Sequence, residues 1–502
     1  MMTHPRGQNM RKLYIDLVTD KKAIRLINLI YFLADTSDLL TMEDVAAKLG
    51  VTKKTLKSDL ALLQEYSPVI DGFVQVKKET IIFNRDSTYT IEEILSDIID
   101  QQPLFTLLSA LLDGEEYSIE TWCDRIWLSE RTLRRYLPHL TEVLERYNLT
   151  LQLSPHMALI GEEADIRYLY FDYTSQRGWR EEDVHLDEMV QKFYYEFQES
   201  FLNRYQRVLT LDANRTKMWH HVILQRVGKH LYIPKKQNPD QKYAMTDRFE
   251  VFSEIYDQLM KKYFSIENLP YEEHIYAYVT TLASVIYLPP EGEIYSINLT
   301  RKSKYDNQYN TIFDFGESIP LDPSRSKEMY HCVNSFLENL SLLSRLTPLF
   351  QRNSFELNQY AEREFPEIYQ ACLAKLKQVK LSHDARLVYP EDVATNLSLL
   401  FSSYLVDTTI ENNKKILLSI SGEACYVQHL IAILKKRIPG NFDVIWVFNE
   451  KITEEYAKRA EIDVIIYNHV MLVPIEGCLS IKVSQFPATG ELERLTKKLF
   501  EL

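Results

Sequence analysis

Two stretches in the N-terminal third of the chain match each other without a gap, and this repeat constrains the fold more than any other feature. The first is LTMEDVAAKLGVTKKTLKSDLALL, residues 40–63, and the second is YSIETWCDRIWLSERTLRRYLPHL, residues 117–140, at a constant offset of 77 residues. In both copies the apolar residues recur at the spacing of the inner faces of two short helices. Each copy predicts a helix-turn-helix, and a matched pair is much harder to attribute to chance than one copy.

The turn between the two helices differs in sequence between the copies. Gly50 in the first copy can take the positive φ of a tight turn, Thr41 with Asp44 predicts a capping box, and Thr52 can cap the second helix. The second copy has Trp127 in place of the glycine. We therefore expect its turn to be wider or of another type.

The second helix of each copy carries basic and hydroxyl side chains outside its apolar set, and these residue types can reach bases or phosphates in a major groove. In the first copy they are Lys53, Lys54, Thr55, Lys57 and Ser58. In the second copy they are Arg131, Thr132, Arg134 and Arg135. The alternative is a solvated basic face, with the arginines paired to acids such as Glu142 and Glu145.

A candidate β-hairpin follows each copy. DGFVQVKKETIIFNR has a turn at Lys77 and Lys78 that can meet phosphate, and LTLQLSPHMALIG is the second candidate. We predict two winged helix-turn-helix units, residues 11–90 and 91–161, that bind double-stranded promoter DNA. Because arginine can contact guanine bidentately, we expect the second unit to contact bases and the first to anchor phosphates.

Charge and composition limit the partners. The 502-residue chain has a net charge of −13, whereas residues 1–90 carry 13 basic and 11 acidic side chains, so DNA contact must be local to the N-terminus. Five scattered cysteines predict neither a disulfide framework nor a zinc site. The sequence contains no spanning apolar run and no secretion signal. We expect a cytoplasmic protein with no membrane partner, cofactor or metal.

The rest of the chain changes character near residue 412. Residues 162–405 follow helical periodicity, with a break at 288–310, and predict two helical bundles at 162–290 and 291–408. Residues 412–502 alternate β-prone runs with helical stretches, which predicts a small parallel α/β sheet. The SGEACY loop after its first strand is the expected ligand position, but its single glycine is a poor phosphate cradle. Cys425 there is either a reactive thiol or a buried packing residue.

This order of two winged helices, two helical bundles and one α/β unit resembles the Mga/AtxA family of virulence and global transcriptional regulators of Gram-positive bacteria. The junction LIGEEADIRYLY is similar to the segment that leads into the bundles of such regulators. The resemblance implies that the bundles are phosphotransferase-system regulation domains and that residues 412–502 are an EIIB-like domain. It further implies homodimerisation through that domain and histidine phosphorylation by the phosphocarrier protein of the phosphotransferase system.

The resemblance also shows where the chain departs from the family pattern. The late-helix histidine expected after Glu273 and Asp392 is replaced by Thr280 and Leu399, and Ser421 stands where the EIIB phosphocysteine is expected. The remaining candidate phosphorylation sites are His220 or His221 in the first bundle and His331 and His383 in the second.

The sequence therefore predicts a non-enzymatic DNA-binding regulator, an activator in line with the resemblance. An RNA-binding antiterminator would share the bundles but begin with a β-rich RNA module. A phosphotransferase-system component would need an acceptor side chain in the α/β loop, where Ser421 stands.

Overall fold

The structure is a computed structural model, and its described residues fall into two compact units. Unit 1 comprises residues 1–162, 172–178 and 482–497, and unit 2 comprises residues 163–171, 179–481 and 498–502. The described residues are 12–35, 40–67, 70, 74–77, 79–83, 91–177, 184–205, 211–235, 247–287, 323–353, 355–378, 387–405, 414–438, 442–447, 452–469, 475, 477–487 and 489–500.

Unit 1 contains the same arrangement twice: a leading helix, a helix-turn-helix and a two-stranded wing. The first copy consists of α2 (Lys21–Asp35), β1 (Leu40–Thr41), α3 (Met42–Leu49), α4 (Lys53–Tyr66), β2 (Val74–Lys77) and β3 (Thr80–Phe83), preceded by α1 (Lys12–Leu17). After α5 (Ile91–Ile99), the second copy consists of α6 (Pro103–Leu112), α7 (Ile119–Arg125), α8 (Glu130–Glu145), β4 (Thr150–Gln152) and β5 (Ala158–Ile160).

Strand pairing follows the same plan in both copies. In the first, β3 lies between β1 and β2 and is antiparallel to both, with Leu40 opposite Ile81. In the second, β4 and β5 form an antiparallel pair, and Tyr117 forms a single bridge to Met157 in place of a full strand. Tyr117 is the counterpart of Leu40 in the repeat. Both wings are thus tied back to the residue that precedes the helix-turn-helix.

The predicted caps of the first copy are confirmed. The Thr41 hydroxyl accepts a hydrogen bond from the Asp44 amide while Asp44 accepts one from the Thr41 amide, which completes the capping box. Gly50 ends α3 with φ 66°. The Thr52 side chain accepts from the amide of Thr55 at the start of α4. Local sequence therefore sets the ends of both helices.

The expectation of a different turn in the second copy is wrong. Trp127 has φ 54°, the same left-handed conformation as Gly50. The hydrogen bond across the turn is also the same, since Val51 N donates to Ala46 O at 2.9 Å and Leu128 N donates to Cys123 O at 3.0 Å. A left-handed backbone costs a residue other than glycine roughly 1–2 kcal/mol. The packing of the two helices therefore imposes one turn geometry, whichever side chain occupies it.

Unit 2 begins with a set of helices and short 3₁₀ turns. They are α9 (Glu163–Arg177, whose residues from 172 belong to unit 1), α10 (Val184–Tyr205), α11 (Ala213–Val227), α12 (Asp247–Phe264), α13 (Tyr271–Thr281), α14 (Pro323–Leu346), α15 (Phe355–Glu364), α16 (Pro366–Gln378) and α17 (Pro390–Leu405). The 3₁₀ turns are Leu282–Ser284 and Pro348–Gln351. The whole of the predicted break at 288–310 lies outside the described residues. Among the helices that the structure describes, none combines the length and apolar character required to cross a bilayer.

The predicted small parallel sheet is present in the C-terminal part. Its elements are β6 (Lys414–Ser419), α18 (Ala424–Arg437), β7 (Phe442–Trp446), α19 (Glu454–Ala460), β8 (Val464–Tyr467) and β9 (Leu479–Lys482), followed by α20 (Thr489–Phe500). The strand order is β7-β6-β8-β9, and β6 is parallel to both neighbours. The central β6 is buried, so its run of aliphatic residues is the expected sequence of an inner parallel strand.

A buried ion network holds α9 against the helices α10 to α13, here called the first set of helices. The guanidinium of Arg167, which is fully buried, donates to both carboxylate oxygens of Glu273 at 2.8 Å, to Glu163 at 3.0 Å and to the carbonyl of Leu231 at 2.9 Å. Arg226 holds the same Glu163 at 2.6 and 2.8 Å. Burial alone would lower the pKa of Arg167, but Glu273 and Glu163 raise it above its usual range. Each buried charge is therefore compensated by partners at short range.

The helices α14 to α17, here called the second set of helices, repeat one part of this arrangement. Glu273 at the start of α13 accepts the backbone amide of Ile233, and Asp392 at the start of α17 accepts the backbone amide of Asn353, both at 2.7 Å. In each case the acid follows a proline and holds the segment that follows an earlier helix. The repeated Pro-acid helix starts thus correspond to a repeated structural contact.

Replacing Arg167 tests how far unit 2 depends on this network. We expect Arg167→Met to lower the free energy of unfolding by roughly 3–5 kcal/mol, because Glu273 would remain buried without its charge partner. Lys192→Met is the matched control, since the Lys192 to Glu188 pair is exposed and should contribute less than about 1 kcal/mol. Chemical denaturation followed by circular dichroism measures both. Equal stability of the two variants would contradict the assigned role of Arg167.

Candidate functional site

The arginine face of α8 is exposed at the start of the second helix-turn-helix. The Ser129 side chain caps this helix and accepts from the Thr132 amide. Arg131, Arg134 and Arg135 all project to solvent. Arg134 pairs with Glu130 one turn earlier at 2.7 Å, whereas neither Arg131 nor Arg135 forms an ion pair with any residue that the structure describes. This face therefore presents two guanidinium groups without a carboxylate partner in the described part of unit 1.

The predicted alternative for these arginines was pairing with Glu142 and Glu145. Within the described residues no such pair forms, and Glu130 is the acid that engages Arg134. Arg135 lies over the ring of Tyr136, with its guanidinium carbon 5.2 Å from the ring centroid.

The lysine face of α4 is partly neutralised by acids. Lys53 pairs with Glu43 and, at 3.1 Å, with Glu79 in the turn of the wing, and Lys57 lies 3.7 Å from the same Glu79. The hydrogen bond from Lys53 lowers the pKa of Glu79. The sequence could not indicate this pairing, because Glu79 is brought to α4 by the fold of the wing. Lys54 is exposed.

The other predicted contact residues differ in position. Thr55 and Thr132 are half-buried and occupy equivalent places in the N-terminal caps, where their hydroxyls lie 2.9 Å from those of Thr52 and Ser129. Ser58 is exposed on α4. Lys77 ends β2 but its side chain lies outside the described residues, as does the whole of Lys78. The two threonines therefore have a structural role in shaping the helix starts.

The four predicted phosphorylation histidines fall into different environments. His220 on α11 is enclosed by aromatic rings, including those of Phe193 and Phe197, and burial lowers its pKa to about 3. Its neighbour His221 is only half-buried. His331 lies on α14 with its side chain outside the described residues, and His383 lies outside them entirely. Of the two histidines on α11, only His221 has access to solvent.

His221 lines an open cleft of about 520 Å³ in unit 2. Its other lining residues come from α10, from the end of α11 and from the segments after α11 and α12, and they include His230, Tyr232 and Glu267. His230 Nδ1 lies 2.9 Å from the Tyr232 hydroxyl. The cleft thus holds two imidazoles and one carboxylate. Among the described residues, no three or more His, Cys, Asp or Glu side chains are arranged so that they could hold a metal ion.

The loop after β6, expected to hold a ligand, is instead occupied by a carboxylate of the same unit. Both oxygens of Asp212 lie 2.8 Å from the Ser421 hydroxyl, and one accepts the Gly422 amide at 2.8 Å. Asp212 is also the N-cap of α11 and accepts from the Arg215 amide at 2.9 Å. A single buried carboxylate therefore caps one helix and binds the α/β loop.

Helix α18 is covered on the side away from its sheet by α17 and α15. His429 is fully buried, with Nδ1 3.0 Å from the Ser402 hydroxyl and Nε2 2.9 Å from the Tyr360 hydroxyl. Burial lowers the pKa of His429 to about 3, so the imidazole is neutral. Cys425 is also buried, and burial raises its pKa well above the usual range. Of the two alternatives for Cys425, the structure supports the packing residue.

Asp212→Ala tests the contact between α11 and the α/β loop. We expect the free energy of unfolding to fall by roughly 2–4 kcal/mol, because the variant removes a helix cap and leaves the Ser421 and Gly422 donors without their acceptor. Thr453→Ala is the control, because Thr453 caps α19 and its loss removes a cap alone, at about 1 kcal/mol. Denaturation gives both values, and hydrogen exchange at Gly422 should accelerate only in the Asp212 variant. Unchanged exchange there would show that the contact is not formed in solution.

Comparison with known proteins agrees with this arrangement. The Mga helix-turn-helix domain matches residues 87–174, which include the second helix-turn-helix and its wing. A putative trans-acting regulator of Streptococcus pneumoniae serotype 4 is 21% identical over 91% of this chain and 93% of its own length. The capsule synthesis positive regulators AcpB and AcpA of Bacillus anthracis are 19% and 18% identical, over 91% and 80% of this chain and 94% and 83% of their own lengths.

The similarities to the Streptococcus pneumoniae regulator and to AcpB each cover 91% of this chain, so they extend well beyond residues 87–174. The Mga helix-turn-helix match in the second winged unit and the regulators named above together show that the chain is similar to Mga/AtxA-like transcriptional regulators.

Proposed function

We propose that this protein is a transcriptional activator that binds double-stranded promoter DNA in the cytoplasm with α8 as its base-contacting helix. The observation that carries the proposal is the exposed guanidinium groups of Arg131 and Arg135 on the second helix of a helix-turn-helix. Residues of this type at the start of such a helix contact guanine in the major groove. The protein acts by binding and not by catalysis.

The two winged units have unequal roles in this proposal. On α4, Lys53 and Lys57 already have acidic partners, so DNA must compete with Glu43 and Glu79 for them. Phosphate contacts from such lysines add salt-dependent affinity and little sequence preference. The first winged unit therefore anchors the protein on the DNA backbone, and the second winged unit provides the sequence preference.

The proposed targets follow from the named relatives. AcpA and AcpB are positive regulators of capsule synthesis. We propose that this chain likewise activates genes of virulence, cell-surface or carbohydrate metabolism. The division into five domains, with two regulation domains and an EIIB-like domain that pairs two chains, is part of the same proposal.

The DNA-binding proposal predicts a large effect of the α8 arginines. Duplexes of about 40 base pairs, long enough for two half-sites several turns apart, are first selected from a random pool by the full chain. We expect replacement of Arg131, Arg134 and Arg135 together by alanine to weaken binding of the selected duplex by roughly 30-fold or more. A triple alanine variant of Lys53, Lys54 and Lys57 should bind the duplex about fivefold more weakly, and its affinity should depend less steeply on salt concentration. Gel shifts at physiological salt measure both.

A matched control separates contact from overall charge. Replacing Lys192, Lys229 and Lys261 in unit 2 by alanine removes the same three charges and should leave affinity within about twofold, because long-range steering is screened at this salt. Sedimentation of the wild-type complex gives its stoichiometry, and two chains per duplex support the dimer. Equal affinity of the arginine variant and this control would refute the role of α8.

We also propose that His221 accepts a phosphoryl group from the phosphocarrier protein of the sugar phosphotransferase system. Three facts support this choice: its exposure in the cleft, the enclosure of neighbouring His220, and the presence of Glu267 in the same cleft. A phosphoryl group adds about two negative charges near Glu267, and their repulsion would shift the packing of α11 against the segment after α12.

Labelling with phosphoenolpyruvate and the general phosphotransferase proteins tests this proposal. We expect histidine label on the wild-type chain and a loss of most of it in His221→Ala. His230→Ala is the control, because His230 lines the same cleft and should leave the label intact. Retention of full label in His221→Ala would transfer the proposal to His331 or His383.

The two rival functions predict other results. An RNA-binding antiterminator would shift RNA and not DNA on the same gels. A phosphotransferase-system component would be labelled in the α/β loop, where the contact of Ser421 with Asp212 argues against an accessible acceptor.

A further inference from the structure

We propose that Trp127 is a DNA-contact residue that packs against the sugar-phosphate backbone at the edge of the groove entered by α8. The inference rests on the proposed DNA-binding function and adds a contact residue that is not one of the basic side chains of α4 and α8. The indole ring would lie on a deoxyribose, and its N–H would donate to a phosphate oxygen, because tryptophan offers a donor and no acceptor.

The first observation is the exposure of the ring. The Trp127 side chain is 91% exposed, whereas no other exposed large hydrophobic residue in the described part of the chain exceeds 47%. A ring in this position buries almost no apolar area in unit 1, so it adds little to the stability of the fold. Tryptophan combines a large apolar surface with a polar N–H, which suits a contact surface that is partly wet.

The second observation is the backbone conformation. Trp127 adopts φ 54°, which disfavours every residue with a β-carbon, and the equivalent position of the first copy is Gly50. A β-carbon built at Gly50 would meet nothing within 4 Å, so the turn itself has room for a side chain. The second copy thus places a tryptophan where the backbone favours glycine. Strain of this kind is concentrated at functional sites.

The third observation is the position of the turn. Trp127 lies two residues before Ser129, which caps α8, and Arg131 lies in the first turn of that helix. In helix-turn-helix proteins the start of the second helix contacts base edges. A side chain that projects from the preceding turn then lies beside the DNA backbone that flanks the contacted bases.

The surroundings of the ring favour DNA over a protein partner. In the sequence, exposed charged residues stand on both sides of the turn: Asp124 and Arg125 precede it, and Glu130 and Arg131 follow it. Arg125 is paired with Glu115 at 2.6 Å, and Glu130 with Arg134 at 2.7 Å. An isolated indole among charges lacks the contiguous apolar patch of a protein interface. Arg131, with no carboxylate partner among the described residues, supplies the positive charge that a phosphate requires.

Replacing Trp127 by glycine separates the DNA contact from the fold. We expect Trp127→Gly in the full chain to weaken binding of the selected duplex by about 5- to 30-fold, the loss of one hydrogen bond and its buried apolar area. Because glycine accepts this φ without strain, the melting temperature should stay the same or rise. Trp127→Phe keeps a ring but no N–H donor and should bind with intermediate affinity. Val388→Ser is the control for loss of an exposed apolar side chain and should bind the duplex like the wild type.

Tryptophan fluorescence gives a second measurement. In the absence of DNA, acrylamide should quench the wild-type chain more than Trp127→Gly. Addition of the duplex should protect the wild-type signal and leave that of the variant unchanged.

Three outcomes would overturn the inference. Wild-type affinity in Trp127→Gly, with binding still lost in the arginine variant, refutes the role of Trp127 and leaves the proposed function intact. A change in sedimentation without DNA, at unchanged DNA affinity, assigns the ring to a contact between two chains. Absence of DNA binding by the wild-type chain refutes the proposed function and this inference together.

Discussion

The buried pairing of Arg167 with Glu163 and Glu273 is the interaction on which unit 2 depends. A guanidinium can remain charged in an apolar interior only if carboxylates and carbonyls satisfy its donors, so Arg167 fixes the positions of α9, α13 and the segment after α11 together. The neighbouring face of α9 engages the second set of helices, where Asp165 accepts the Thr347 hydroxyl at 2.5 Å. One short helix segment therefore sets the geometry of both helical sets, and a change in either is opposed by the need to keep these charges paired.

The α/β part is held to the same framework by its own expected ligand loop. The Asp212 carboxylate takes the donors that a bound anion would use at Ser421 and Gly422, and the neutral His429 joins α18 to α15 and α17. An oxygen of Asp212 and a phosphoryl oxygen cannot accept the same Gly422 amide at once. The loop therefore forms a structural contact with the start of α11. A serine is compatible with this contact at the position where the resemblance implies a phosphocysteine.

Local signals allowed the DNA-binding units to be predicted in detail, and long-range contacts did not. The capping box at Thr41, the turn at Gly50 and the apolar spacing of α4 act within a few residues, so their sequence is sufficient evidence. The turn at Trp127 was predicted wrongly because the packing of α7 against α8 overrides the preference of one residue. Glu79 and Asp212 could not be found from the sequence, because Glu79 lies 26 residues from Lys53, Asp212 lies 209 residues from Ser421, and neither acid carries a motif. His220 and His221 are adjacent in sequence, and only the aromatic packing around His220 distinguishes them.

In the proposed function, the pairing of surface charges determines the different roles of the two winged units. A lysine that leaves Glu79 for a phosphate exchanges one ion pair for another, so the net gain is small even though the new contact is strong. Arg131 and Arg135 have no such pair to break among the described residues, and a guanidinium gains two directed hydrogen bonds at a guanine. The net charge of the whole chain, −13, supplies no general attraction to DNA, so affinity must come from local contacts. In the proposed mode of binding, affinity therefore depends on a small number of groups on α8 and in the turn before it.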